Sequence, residues 1–424
     1  MIYDVTKYGI VGDGQTNNTI KINELTKSMT NGGTLYFPSG EYVTGTIRLY
    51  SNITVHLDSG AKILGSNDVK DFPKIDKDEA PGYTRGGYEA LISAFNAENI
   101  TVSGNGTIDA RGEFWWKNEK SDLIRPRTIS FFLCKNIKIK DVSIMNSPCW
   151  TIHPVCCSNV LIDGVSIKNP YDSPNTDGIN PESCSGVRIS NCFVDVGDDC
   201  VTIKSGTEDD DLQKQYPCEN IVISNCVMAH GHGGVVIGSE MSGGVKNLSV
   251  SNCVFQNTDR GIRVKTRRNR GGYIKGMILS NIIMENVISA IVFNEFYDCG
   301  IIHNPEETLS AEKQEINELT PIITDINING IIARGVKGAG IYMYGIPELP
   351  IRNIIMNDIN IDVPGTEGGT YILCAPRRDI SMGEGIFLEN TENIFMNNIN
   401  INSKGEKYVI KNSNNIIING KKES

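Results

Sequence analysis

The amino-acid sequence predicts an all-β solenoid, a single-stranded parallel β-helix with a short N-terminal helix that caps it. Short segments of alternating apolar and polar residues recur along most of the 424 residues, and Asn, Gly and Asp turns separate them. Helical periodicity is almost absent beyond the N-terminal segment. Repeats of this kind bury their apolar faces by stacking on one another. The sequence therefore predicts one domain, residues 1–424, built from successive coils.

The N-terminal segment, residues 1–33, differs from the repeats that follow it. NNTIKINELTKSMTNGG, residues 17–33, has apolar residues at helical spacing and ends in Gly-Gly, which predicts a short helix over the open end of the solenoid. The coils are expected to occupy residues 34–424. Within them, residues 297–320 are polar and break the repeat, so they are predicted to form an excursion from one coil.

The repeat has a recognisable phrase, in which an Asn or Gly is followed by alternating apolar residues and a Ser-Asn or Asp-Gly turn. Its clearest copies are KNIKIKDVSI (135–144), SNVLIDGVSI (158–167), SGVRISNCFV (185–194), ENIVISNCVM (219–228) and KNLSVSNCVF (246–255). Successive copies begin at intervals that suit the coils of a parallel β-helix. Cys192, Cys226 and Cys253 fall at one position of three copies, which predicts a packing ladder and disfavours a metal site.

The composition of the chain limits which binding partners and which cellular compartment are expected. A net charge of -10 disfavours nucleic acid and anionic membranes, and no apolar run is long enough for a membrane-spanning helix. MIYDVTKYGIVGDG lacks the features of a signal peptide, so a cytoplasmic location is expected, or a secreted or periplasmic one if a signal has been removed. The twelve cysteines show no CxxC pair and are expected to be reduced. The sequence leaves homo-oligomerisation open.

Three aspartates and one histidine recur along the sequence at intervals of about one coil. Asp177 is followed one coil later by Asp198 and Asp199, and His232 comes one coil after these. Residues one coil apart lie on neighbouring parallel strands, about 4.8 Å apart along the axis, so these groups are predicted to share one face. Hydrolysis of a glycosidic bond needs one carboxylic acid to protonate the leaving oxygen and one carboxylate to activate water. Crowded carboxylates keep one of them protonated.

A basic strand follows one coil later. Arg263 comes about one coil after His232, and Arg263, Lys265 and Arg267 alternate along RGIRVKTRR, so they are predicted to point the same way. An Arg and Lys pair is suited to an anionic substrate. Together with the carboxylates, this strand indicates a hydrolase of an acidic sugar polymer.

Each motif taken alone has a simpler interpretation. Asp beside Gly is common in turns, HGHG is a weak metal motif, and a basic run can be a solvated face. Asp195 belongs to none of the motifs and is assigned to a turn or a coil edge. The co-occurrence of the motifs, in register with the repeat, favours a site. Further subsites are weaker candidates, with residues Trp115, Trp116, Arg125, Arg127, Trp150 and His153.

The motifs NTDG (175–178), GDD (197–199), GHG (231–233) and R-x-K (263–265), in this order on a β-helical repeat, resemble glycoside hydrolase family 28, the polygalacturonases. The resemblance covers nearly the whole chain. The opening YDVTKYGIVGDG and the stretch SGEYVTGTIRL also resemble bacterial members. Val264 replaces the Ile of the usual R-I-K, which is a conservative departure.

The resemblance implies a right-handed β-helix that hydrolyses α-1,4 bonds between galacturonates with inversion and without a metal or other cofactor. By the family pattern, Asp198 is the general acid, while Asp177 and Asp199 activate the water. His232 sustains the protonation of the acid or positions groups around it. The substrate-binding residues implied or predicted are Arg263, Lys265, Tyr297, Asn175 and Arg267.

The apparent lack of a signal peptide and the polar excursion at 297–320, which would wall off one end of the cleft, lead us to expect an exo-acting enzyme on galacturonan or its oligosaccharides. Endo-polygalacturonase and rhamnogalacturonan or other pectin hydrolases are the alternatives within the family. The intact NTDG and Lys265 favour galacturonate at the cleavage site, because rhamnogalacturonan hydrolases tend to depart from these motifs. A calcium-dependent pectate lyase and a non-catalytic polysaccharide-binding β-helix are alternatives of other classes.

Overall fold

The computed structural model describes residues 1–76, 87–117, 124–300, 302–371, 374–375 and 380–424. Of these described residues, 51% are in strands and 7% are in helices. It forms two compact units, Met1–Asp198 and Asp199–Ser424, each of which is described separately below. The prediction of one domain over residues 1–424 stays a prediction.

In the first unit the strands form three stacks, and within each stack every strand pairs in parallel with the one a coil earlier. This arrangement confirms the predicted parallel β-helix. The first stack contains Ile2–Asp4, Gly33–Phe37, Ile53–Leu57, Glu98–Gly104, Lys135–Lys140, Ser158–Asp163 and Ser185–Ser190. The second contains Asp13–Asn17, Gly40–Thr44, Ala61–Gly65, Thr107–Asp109, Ser143–Met145, Ser166–Lys168 and Phe193–Asp195. The third contains Ile47–Leu49, Ile92–Phe95, Ile129–Phe132 and Ile152–Val155.

The second unit has two stacks of parallel strands. The strands of one stack are Cys218–Ser224, Val227–Ala229, Val245–Gln256, Tyr273–Glu285, Ile322–Arg334, Ile351–Val363, Thr391–Ser403 and Asn414–Ile418, with Lys421–Lys422 antiparallel at the end. The other, which we call the short-strand stack, contains Val201–Ile203, Val235–Gly238, Arg260–Lys265, Ser289–Asn294, Ile341–Tyr344, Ile386–Glu389 and Tyr408–Lys411. A separate antiparallel pair joins Thr370–Tyr371 to Ile380–Ser381.

The core lies inside the coils because strand side chains alternate between two faces. In Lys135–Lys140, Ile137 and Ile139 are 1% exposed while Lys138 between them faces solvent. Ile137 pairs with Val160 of the next coil, which is also buried. Each such side chain contributes about 1.5–3 kcal/mol through burial. Burial of these inward-facing apolar side chains is therefore the main source of the fold's stability.

Asparagines form ladders along the turns, including those that open the repeat copies at residues 135–144 and 158–167. Asn99, Asn136 and Asn159 adopt positive φ values of 58°, 57° and 54°, a left-handed conformation that Asn and Gly tolerate best. Asn136 donates its side-chain amide to Asn99 at 3.0 Å, and Asn159 donates to Asn136 at 2.8 Å. Gly186 occupies the same position in the next copy with φ 72°. The left-handed backbone conformation at this position therefore explains why the sequence has either Asn or Gly there.

The predicted N-terminal helix is confirmed as Thr19–Ser28, with its apolar residues Ile22 and Leu25 buried. Asn23 of this helix donates to the carbonyl of Thr46 at 2.7 Å and accepts from the amide of Arg48 at 2.9 Å. These groups belong to the start of the third stack, which would otherwise present an unpaired edge. The other described helices are one turn long and comprise Val5–Tyr8, Val69–Asp71, Glu113–Trp116, Gln213–Gln215 and Pro305–Thr308.

The predicted excursion contains only the short helix Pro305–Thr308 and no strand among its described residues. Arg268 fastens it, because its guanidinium donates to the carbonyls of Thr308, Ser310 and Glu312 and forms two hydrogen bonds with Glu348. All twelve cysteines are free thiols in the structure. None of the helices among the described residues is long and apolar enough to span a membrane.

Candidate active site

The NTDG loop of the first unit is held by Arg125. The guanidinium donates to the side-chain carbonyl of Asn175 at 2.7 Å and to the main-chain carbonyls of Pro148 and Pro174. Asn175 is exposed and has φ 52°, so its side chain is presented at the surface by a left-handed turn. Arg125 therefore positions the loop that carries Asp177, a role that its weak prediction as a subsite residue did not include.

Asp177 is 3% exposed, and Asn180 donates to its carboxylate at 3.1 Å. The loop that carries the GDD motif packs directly on this turn. The amide of Gly197 donates to the Thr176 hydroxyl at 3.3 Å, and a side chain at Gly197 would meet the carbonyl of Ser173 at 2.5 Å. Only glycine fits such a close approach.

The carboxylates of Asp177 and Asp198, both in the first unit, come close together. They offer oxygens within 4.8 Å of each other, although they are about one coil apart in sequence. Asp198 is partly exposed, whereas Asp177 is buried. A close approach of two oxygens does not measure the separation between whole carboxyl groups, so the stereochemical outcome follows from the family and not from this distance.

In the second unit the basic strand Arg260–Lys265 lies within the short-strand stack. Arg263 is paired in register with Val236 and Val292, and Lys265 with Gly238 and Asn294. Both basic side chains are nearly buried, at 5% and 7% exposure. Buried cations need counter-charges, which this strand finds at Asp199.

Asp199 is 1% exposed and receives both cations. The Lys265 ammonium lies 2.7 Å from one carboxylate oxygen, and Arg263 lies 3.6 Å from the other. Tyr297 covers the pair, with its ring centroid 5.7 Å from the Arg263 guanidinium and 5.4 Å from the Lys265 ammonium. Burial raises the pKa of the Tyr297 hydroxyl, which stays neutral and able to donate. The result is a partly desolvated positive site with an aromatic wall.

Gly233 of the GHGG segment (231–234) lies close to Asp199, since a side chain there would come within 3.4 Å of its carboxylate. The carbonyls of Gly233 and Gly234 accept from the amides of Cys200 and Val201, and a side chain at Gly233 would meet Val236 at 2.4 Å. His232 is not buried and is carried on this segment. The path of the main chain beside its imidazole is thus determined by glycine.

Arg267 does not continue the basic strand. The strand ends at Lys265, and Arg267 is 1% exposed with its guanidinium donating to the carbonyls of Tyr297 and Cys299. These contacts hold the main chain that carries Tyr297. Its predicted role in substrate binding stays a prediction, and the contacts indicate a positioning role.

The weaker subsite candidates mostly lie in the interior. His153 is fully buried and 2.8 Å from Glu182, with Trp150 packed edge-on at a centroid distance of 4.8 Å. The guanidinium of Arg127 is 4.9 Å from the Trp150 ring centroid, and Trp115 is 2% exposed. Trp116 is only partly buried, and its indole donates to the carbonyl of Pro148.

The sequence analysis missed a second group of residues around Arg263. Tyr371 and Cys374 approach the basic strand, with Arg260 5.7 Å from the Tyr371 ring centroid and Arg263 donating to the Cys374 sulfur at 3.7 Å. The separation of 111 residues between Arg263 and Cys374 is several coils, so the repeat gives no signal for it.

Metal-ligand atoms also gather elsewhere in the second unit. Glu208, Asp209 and His303 lie close together, but Arg270 pairs with Glu208 and His303 contacts Asp209 at 3.1 Å. These contacts account for the cluster as an ion-pair network. The expected absence of a metal or other cofactor stays a prediction.

Comparison with known proteins shows which family the chain resembles over most of its length. The model of the glycosyl hydrolases family 28 matches residues 28–381. A probable polygalacturonase of Vitis vinifera is 34% identical over 392 residues, covering 89% of this chain and 77% of that protein. An endo-polygalacturonase of Pectobacterium carotovorum subsp. carotovorum is 30% identical over 282 residues, covering 61% and 66%. The solved structure of a hyperthermoactive exopolygalacturonase from Thermotoga maritima has TM-score 0.79 and 27% identity, covering 95% and 92%.

Parallel coils with paired aspartates and a buried basic pair define a β-helical glycoside hydrolase. The chain belongs to glycosyl hydrolases family 28, as its four motifs predicted, and it is an inverting enzyme of the polygalacturonase type. The predicted right-handed parallel β-helix is confirmed by the structures it matches. The finer resemblance to bacterial exo-acting members stays a prediction, because plant and endo-acting proteins are among the relatives.

Proposed function

We propose that this enzyme hydrolyses α-1,4 bonds between galacturonic acid residues in oligogalacturonides, releasing product from a chain end. The observation that carries the substrate class is the nearly buried pair Arg263 and Lys265 beside Tyr297. Two cations in a site of low exposure favour an anionic sugar over a neutral one, because a carboxylate regains there the charge contacts that it loses with water. Polygalacturonases among the relatives support the same substrate.

The proposed chemistry divides the carboxylates by role. Asp198, partly exposed, protonates the glycosidic oxygen as the bond to the anomeric carbon breaks. Asp177 and Asp199, both nearly buried, take a proton from the water that attacks the opposite face. Because the Asp177 and Asp198 oxygens lie within 4.8 Å of each other, repulsion between two ionised carboxylates favours keeping one of them protonated as the acid.

The remaining residues are proposed to bind and position. Arg263 and Lys265 hold the galacturonate carboxylate, with Tyr297 against the sugar ring. Asn175 contacts substrate from the NTDG loop, and His232 supports the protonation of Asp198. Two further arginines, Arg267 and Arg125, act through their contacts with the main chain at Tyr297 and the side chain of Asn175.

Contacts of Tyr371 and Cys374 within the second unit support exo action. Tyr371 and Cys374 stand beside the basic strand, where they would limit how far a polymer extends past Arg263. A closed end of this kind suits a substrate terminus. Endo action is the alternative, favoured by the relative named as an endo-polygalacturonase.

The test is incubation with saturated oligogalacturonides of defined length, with NMR of the first anomer and chromatography of the products. Exo action predicts only monomer or dimer from early times, whereas a ladder of sizes would establish endo action. An Asp198→Asn variant serves as the inactive control. Products that absorb in the ultraviolet through a new double bond would indicate a lyase, and pectin binding without new reducing ends would indicate a binding protein.

A further inference from the structure

Two cysteines from distant parts of the second unit meet beside the basic strand. Cys299 comes shortly after Tyr297 in the excursion, and Cys374 belongs to the segment after Tyr371. The main-chain carbonyl of Cys374 accepts from the side chain of Asn294 and from the amide of Asp298, each at 3.1 Å. These two bonds fix Cys374 against the chain that carries Cys299.

The two sulfur atoms are within reach of each other. The two sulfur atoms and a carboxylate oxygen of Asp298 all lie within 4.8 Å of one another. Cys299 is exposed to solvent, and Cys374 is partly exposed. Of the remaining cysteines, only Cys149 and Cys156 are not buried, and both belong to the first unit. A small oxidant therefore has access to Cys299 and Cys374 together.

The surroundings of Cys374 favour a thiolate. The hydrogen bond from the Cys299 thiol, together with the Tyr371 hydroxyl and the charges of Arg263 and Arg260, outweighs burial and lowers the pKa of the Cys374 thiol to about 5. The same hydrogen bond and burial raise the pKa of Cys299, which keeps its proton. The two guanidinium groups disfavour a divalent cation here, although the donor set Asp298, Cys299 and Cys374 would otherwise suit one.

We propose that Cys299 and Cys374 form a reversible thiol–disulfide pair, with Cys374 as the nucleophile, whose oxidation by peroxide strengthens substrate binding at Arg263. The effect on binding rests on the proposed function, whereas the thiol chemistry does not.

The oxidation balances with hydrogen peroxide as the oxidant. The Cys374 thiolate attacks one peroxide oxygen, the O–O bond breaks, and the departing hydroxide is protonated to water, leaving a sulfenic acid on Cys374. The Cys299 sulfur then attacks the Cys374 sulfur, the S–O bond breaks, and a second water leaves with the Cys299 proton. Two thiols lose two electrons, and one peroxide becomes two waters.

The consequence follows from the charge on Cys374. In the reduced enzyme the thiolate contacts Arg263 at 3.7 Å and competes with a substrate carboxylate for that guanidinium. The disulfide is neutral, so Arg263 loses this competitor. We expect KM for trigalacturonate to fall about threefold to tenfold on oxidation, because removing one partly solvated charge contact changes affinity by that order.

The experiment treats the full chain with hydrogen peroxide, alkylates the remaining thiols with iodoacetamide and maps the peptides by mass spectrometry. KM is measured before and after, and again after reduction with dithiothreitol. Cys374→Ser should show the lowered KM without treatment and no further response to peroxide. Cys299→Ser should form no disulfide, and Cys156→Ser, which changes a partly exposed cysteine of the first unit, should behave as the unaltered protein.

A peptide cross-linked through Cys299 and Cys374, with the KM change reversed by dithiothreitol, would establish the proposal. Alkylation of both residues after peroxide, or pairing with other cysteines, would overturn it. Cross-linking with unchanged KM would overturn the effect on binding. If the enzyme hydrolyses no galacturonan, the proposed function fails, but peptide mapping still decides the thiol pair.

Discussion

Asp198 is the partly exposed member of the pair of aspartates whose oxygens meet within 4.8 Å. If it is the general acid, Asp198→Asn should lower kcat on trigalacturonate by about 10²–10⁴-fold with little change in KM, because proton transfer is lost while binding groups remain. Steady-state assays of released reducing ends measure both constants.

The matched control is Asp195→Asn, slightly earlier in the chain at the end of Phe193–Asp195. That variant should retain activity, and both should keep the thermal midpoint of the unaltered protein. Near-normal turnover by Asp198→Asn would remove the acid assignment.

Lys265 neutralises a carboxylate that is almost completely buried. Lys265→Met should therefore lower the free energy of unfolding by about 3 kcal/mol, toward the low end for a broken buried pair because Arg263 also lies near Asp199. Urea unfolding measures this loss.

The double variant Lys265→Met/Asp199→Asn should regain most of the stability without regaining activity. The exposed Lys275→Met provides the control for loss of a lysine. Unchanged stability in the single variant would show that the ion pair does not hold Asp199 in solution.

At the scale of elements, Arg268 holds residues 308–312 of the excursion. Arg268 binds three carbonyls of that segment and pairs with Glu348, so Arg268→Met/Glu348→Gln removes the clamp without leaving an unpaired buried charge. Protease cleavage within residues 302–320 should become at least about tenfold faster, because three hydrogen bonds that oppose local opening are lost.

Lys313→Ala, an exposed change in the same segment, should cleave at the original rate. Equal cleavage of all variants would mean that other contacts of the excursion dominate.

The elements also show what the sequence could and could not predict. Strands, turns and the N-terminal helix follow from period-two alternation, left-handed Asn or Gly positions and a Gly-Gly stop, all local signals. Within the first unit, the spacing of about one coil predicted that the carboxylates of Asp177 and Asp198 come close together. Within the second unit, alternation predicted that Arg263 and Lys265 point the same way, and both lie near Asp199. Arg267 was placed on that strand by alternation, but the strand ends before it.

The contact of Cys374 with Arg263 could not be predicted in the same way. It joins residues 111 positions apart through a segment outside the repeat, and its position depends on the contacts of its carbonyl with Asn294 and Asp298. Such contacts depend on where a non-repetitive loop returns to the solenoid, which no period encodes.

For the whole molecule, stability should depend on pH through Glu295. This residue is fully buried, and burial raises the pKa of its carboxyl from 4.5 to about 8. Between these values the folded chain holds one more proton than the unfolded chain, so stability falls as pH rises. Glu295→Gln should remove a decrease of a few kcal/mol across this pH range, because each pH unit between the two pKa values changes stability by about 1.4 kcal/mol.

Urea unfolding at several pH values measures the slope. The exposed Glu318→Gln is the control and should keep the slope of the unaltered protein. A slope that persists in Glu295→Gln would assign the dependence to other groups.

The asparagine ladders suggest how such enzymes diversify in evolution. Asn136 and Asn159 pair across 23 residues, while Asn357 and Asn397 pair across 40, yet both ladders keep their register. Insertions between coils therefore lengthen a loop without shifting the register of the ladders. Descendants of one ancestral solenoid can acquire new loops around the same carboxylates, so changes in substrate preference should be found at coil junctions before they are found in the strands.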